Sequence, residues 1–157
     1  MKEKILEAFR ELGFKLEEEE GMGYCFKYEG LNLLYMYNEN DEEFLNIALP
    51  GIVEVEDDKM LQICALLEKI NSTLKYIKAY MLGNSVWLFY ERELFGEEDL
   101  MTVISRMILH LEAGLSFARK AMAEIEETMT NGSSDDDTTE SAEEIVTEEI
   151  ADDDNNE

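Results

Sequence analysis

Residues 57–93 read DDKMLQICALLEKINSTLKYIKAYMLGNSVWLFYERE, and residues 97–127 read EEDLMTVISRMILHLEAGLSFARKAMAEIEE. The first block predicts a helix with Leu61, Cys64, Leu67 and Ile70 in one stripe, opened by Asp57 and Asp58 as caps. It continues into KYIKAYML and SVWLFYERE, two strands joined at Leu82-Gly83-Asn84-Ser85. In the second block Leu100, Val103, Ile104, Met107, Ile108, Leu111, Leu115, Ala118, Met122 and Ile125 hold helical spacing for about seven turns. Phe117 and His110 widen one edge of that stripe and Met101 the other, an arc broad enough for more than one neighbour. Glu97 and Glu98 sit where negative charge suits a helix start.

Working backward, Ile5, Leu6, Phe9 and Leu12 predict an amphipathic helix capped by Gly13. The acidic run 17–20 reads as a solvated loop. Met22, Tyr24, Phe26 and Tyr28 then alternate, Glu29-Gly30 turns the chain, and Leu31, Leu33, Tyr35 and Tyr37 share the next face. A third strand, FLNIALPGIVEV, should bend or break at Pro50-Gly51, since proline cannot donate to a ladder. The element order is therefore α-β-β-β-α-β-β-α, an α+β fold with an antiparallel sheet packed with helices, over residues 1–127. Two strands are apolar on both faces: Leu34 and Met36 oppose Leu33, Tyr35 and Tyr37, while Trp87 and Phe89 oppose Val86, Leu88 and Tyr90. A sheet covered on one side alternates cleanly, so something must cover part of the second face. The choices are an element of the chain itself or a dimer or partner surface, for which Tyr35, Tyr37, Trp87 and Phe89 are the candidate residues.

Charge narrows the partners. The chain carries 38 acids against 13 bases, a net of −25. Every Lys and Arg lies at or before Lys120, and twelve acids fall in 135–157. The body thus holds 38 − 12 = 26 acids against 13 bases, or −13. Such a field repels nucleic-acid backbones and anionic membranes and attracts basic peptides or patches. Residues 128–157 are expected to be a disordered acidic tail, with Ile145, Val146 and Ile150 as one short piece able to fold on a partner. The opening residues show no apolar signal region and no stretch approaches a spanning length, so a cytoplasmic protein with free Cys25 and Cys64 is expected.

Chemistry is sparse. His110 is the single histidine, and no second His, Cys or acid stands near it at ligand spacing. A zinc site would need the fold to join Cys25 and Cys64; two buried structural thiols are the simpler expectation. No nucleophile elbow, P-loop or GxGxxG is present, and NENDEEF (38–44) lacks the glycine and spaced ligands of a calcium loop. Asn71 reads as a helix C-terminal residue bonding freed carbonyls. No enzyme, cofactor or metal is expected.

LGF (12–14), FKYEG (26–30), ALPGI (48–52), EKINSTLKYIKAYM (68–81) and VWLFYERE (86–93) together resemble YbjN-type domains, which share the fold of type III secretion chaperones. The resemblance covers about residues 1–127. It implies a homodimer with a chaperone-like or regulatory binding role and no catalysis; the acidic tail falls outside the family's pattern. A small-molecule-sensing domain, with a pocket between helices and sheet, is the alternative.

Overall fold

The computed structural model describes residues 1–132. Helix α1 (Lys2–Glu11) is followed by strands β1 (Glu17–Glu19), β2 (Gly23–Tyr28), β3 (Leu31–Met36) and β4 (Phe44–Glu54). A 3₁₀ turn then leads into α2 (Met60–Thr73), the hairpin β5 (Ile77–Leu82) and β6 (Ser85–Glu93), and the long α3 (Leu100–Gly132). The strands form one sheet in the order β1-β2-β3-β4-β6-β5, with every neighbouring pair antiparallel. The expected order holds, with one addition. Glu17–Glu19, expected as a loop, pairs with Gly23–Cys25 as an edge strand whose side chains all face solvent.

Local signals account for most of the joints. After α1, Gly13 takes φ +86° and its N–H reaches Arg10 O, while the Phe14 N–H reaches Phe9 O. These are the two bonds of a Schellman cap. The β2–β3 turn places Glu29 and Gly30 at φ 46° and 79°, as a two-residue hairpin with the sheet's twist requires. Pro50-Gly51 bends β4 without breaking it. Between Leu49 and Val53 the strand spans four residues where β6 spans two, from Leu88 to Val86.

All three helices lie on one face. Ile5, Leu6 and Phe9 of α1, Ile63, Leu66 and Ile70 of α2, and Ile104, Met107 and Leu111 of α3 close over Leu33, Tyr35, Ile47, Leu88 and Tyr90. The expected α2 stripe is corrected. Leu61 is 70% exposed and Cys64 is exposed, while Ile63 and Leu66 point inward. Residues 60–67 are apolar nearly all round, so periodicity alone does not choose the inward side. Neither cysteine is fully buried: Cys25 is half-buried, on the sheet face away from the helices.

Helix starts also differ from expectation. Asp57 and Asp58 lie in the 3₁₀ turn, and among the described residues no side chain caps α2. At α3 the cap is Asp99, whose carboxylate accepts from the Met101 and Thr102 N–H groups and from the Thr102 hydroxyl. These bonds, the hydroxyl's first, hold its pKa below the usual value. Glu98 stitches the preceding loop by accepting from the Phe95 and Gly96 N–H groups. Helix α3 runs past the expected boundary at 127 to Gly132, where Thr128 and Thr130 donate back to the carbonyls of Glu124 and Glu126. The remainder of the acidic tail, with Ile145, Val146 and Ile150, lies outside the described residues. By length and hydropathy alone α3 would pass for a membrane span, contrary to the sequence expectation. Its apolar stripe is taken up by the core.

Asn71 has a structural task, but not a helix-ending one. It sits inside α2 and reaches the outer edge of β5, donating Nδ2–H to Ala79 O (2.9 Å) and accepting the Ala79 N–H at Oδ1 (2.8 Å). One amide thus does for the edge strand what a neighbouring strand would do. Asn71→Ala orphans both groups beside the buried Ala79 and should lower unfolding free energy by about 1–3 kcal/mol in urea melts. A loss within error would mean that solvent serves the edge equally well.

Candidate functional site

The face opposite the helices carries the apolar surplus seen in the sequence. Register places Cys25, Leu34, Ala48 and Phe89 in one row across β2, β3, β4 and β6, because Cys25 pairs with Leu34, Leu34 with Ala48, and Ala48 with Phe89. Leu34, Ala48 and Phe89 form a second buried cluster, flanked by Cys25, Met36 and Trp87. Phe89 is shielded by its own neighbours: Tyr80 stacks on it at 4.1 Å and 2°, and Trp87 stands at 6.0 Å and 15°. Three near-parallel rings make an aromatic row, with Tyr80 42% exposed. The Trp87 indole N–H donates to Ser85 Oγ (3.0 Å), which fixes the ring.

The four expected residues do not form one surface. Trp87 and Phe89 lie on the open face, whereas Tyr35 pairs with Tyr24 and Ile47 on the helix-covered face and is 1% exposed. Tyr37 packs against the same core cluster, with its hydroxyl donating to Glu42 Oε1 (2.7 Å) and Lys2 Nζ 4.5 Å from its ring. The sequence reading missed Tyr80 and Phe44, and named Met36 only within the apolar surplus of the second face. Its hairpin carries the signal for Tyr80: the turn at Gly83-Asn84 pairs Leu82 with Ser85, and that register sets Tyr80 opposite Trp87.

Polar groups gather at one end of this face. Asn46 Nδ2 donates to Glu91 Oε1 (3.0 Å), and Lys78 pairs with Glu91 Oε2. Burial, and then the Glu91 charge, pushes the Tyr80 hydroxyl up. Burial likewise raises the Cys25 thiol, helped by Glu19 and Glu17, the opposite of what a thiolate nucleophile needs. Among the described residues no group of three His, Cys, Asp or Glu is placed to hold a metal ion. His110 lies on the other side of the sheet, its Nδ1 2.7 Å from Arg106 O and its ring edge-on to Tyr76 and Tyr90.

A six-stranded antiparallel sheet backed, among the described residues, by three helices is an α+β architecture of the YbjN kind. The crystal structure of YbjN from E. coli, a protein described as a candidate transcription regulator, shares it with a TM-score of 0.58. Identity is 14%, covering 84% of this chain and 93% of that one. At that identity the likeness establishes the fold. No protein-family model matches the chain, and no curated protein matches it.

Proposed function

We propose that the chain is a non-catalytic regulatory or adaptor module that binds a segment of another protein across the open face of its sheet. The observation that carries this reading is the aromatic row Trp87, Phe89 and Tyr80 on a face where, among the described residues, no helix packs. Aromatic rings with one edge in solvent and a buried base are the kind of groups that dominate binding energy. Both sheet edges are guarded, β1 by three exposed acids and β5 by the Asn71 amide. A partner would therefore lie on the face rather than add a strand. The space between helices and sheet is filled by the main core, which gives the sensing alternative no support.

A photo-crosslinker at position 80 should capture the partner, and the Trp87→Ala and Tyr80→Ala variants should each weaken its binding roughly tenfold while keeping their far-UV spectra. Undiminished binding by both would take the face out of the reading. The proposal includes the homodimer, for which sedimentation equilibrium should give twice 18.1 kDa. A dimer that falls apart in the same two variants would assign the face to the second copy instead.

A further inference from the structure

At its polar end the open face dips into a groove of about 380 Å³ between Met22 at the β1–β2 turn and the loop bearing Asp41. Met22, Met36 and Phe44 supply apolar walls; Asn46, Asp41 and Glu91 supply acceptors. Asn46 Oδ1 is buried and accepts no hydrogen bond from the described residues. Rotating the amide does not help, because Nδ2 would leave Glu91 and two oxygens would then face each other. Glu91 is already served by Asn46 and Lys78. The groove wall therefore holds a carbonyl that no donor of the described residues serves, a costly state when buried.

We infer that this groove receives a basic side chain, arginine above all, of a partner segment lying across the aromatic row. Arginine carries only donors, and its apolar stem suits the two methionines and the phenylalanine. Its planar head has donors enough for both Asn46 and Asp41, which line the groove. Residues 1–132 carry 26 acids and 13 bases, so the field around the face steers a cation inward. The same count disfavours a second copy, whose residues 1–132 alone would bring another −13, with Lys27 and Lys78 as the strand bases on this face. The inference rests on the partner-binding reading and adds the chemistry of the partner: a segment with apolar residues beside a guanidinium.

The test is to pan a random-peptide display library against the full chain at low salt and to measure the best binder by calorimetry. Enriched peptides should pair an Arg or Lys with apolar residues. Exchanging that Arg for citrulline, its neutral isostere, should weaken binding roughly tenfold. That discrimination should shrink to about twofold in Asn46→Leu and in Asp41→Asn, where the exposed loop position leaves the fold intact. Peptides without a basic residue, or equal binding of the Arg and citrulline forms, would overturn the cation groove while leaving the docking face standing. Binders indifferent to Trp87→Ala and Tyr80→Ala would overturn both.

Discussion

Replacing Tyr35 by alanine should lower the free energy of unfolding by about 3–5 kcal/mol, much of what a domain of this size has to spare. The side chain is 1% exposed and sits at the middle of an aromatic cluster. Phe9 of α1 lies 5.6 Å away, Tyr24 stacks on it at 6.1 Å, and Tyr37 stands at 6.4 Å. Phe9 also meets Phe26 at 4.9 Å, so Tyr35 helps to dock the first helix on the β2–β3 hairpin. Alanine would remove the ring and leave a cavity that the stiff sheet beneath cannot close. Burial raises the hydroxyl's pKa, so at physiological pH it stays protonated and gives the core no charge. Urea unfolding of Tyr35→Ala beside Trp87→Ala separates structure from surface. The first should lose stability and the second binding; a loss under about 1 kcal/mol for Tyr35→Ala would contradict its place in the core.

Much of the fold is legible in the residues because its signals are local. Glu29-Gly30 and Gly83 turn the chain where the alternating runs end, and the predicted α3 stripe contains most of the residues that α3 buries. What fails to show is what depends on distant partners. Glu17–Glu19 has no apolar period and is a strand only because the edge of β2 offers hydrogen bonds. Asn71 is polar, and nothing in its neighbourhood says that Ala79 will lie beside it. The candidate site divides the same way. Alternation shows that Trp87 and Phe89 oppose Leu88, but it gives faces within one strand and not between strands. Deciding that Phe89 shares its face with Leu34, and that Tyr35 faces the helices, takes the register through Ala48 and Ile47. The groove is less legible still, since Met22, the segment 36–46 with Asp41 and Asn46, and Glu91 come from three separate stretches of chain.

Gly23→Ala should cost about 2–5 kcal/mol, combining backbone strain with overpacking. Gly23 opens β2 at φ +140°, a conformation L side chains rarely take. A Cβ there would stand 2.0 Å from Tyr35 O and 3.1 Å from Met36 Cα, both backbone atoms that no rotamer change can move aside. Relief requires β2 and β3 to part where Gly23 pairs with Met36 and Tyr24 with Tyr35. That movement loosens the aromatic cluster on one face and shifts Met22 and Met36 at the groove on the other. The variant should therefore lower both the melting temperature and the affinity for a basic-apolar peptide. Gly21→Ala is the control: it also has positive φ, at +76°, but nothing lies within 4 Å of the added carbon. It should pay only the dihedral cost, about 1–2 kcal/mol. Equal losses in the two variants would show that strain alone acts at this turn, and that the close approach of β2 to β3 is not what shapes the groove.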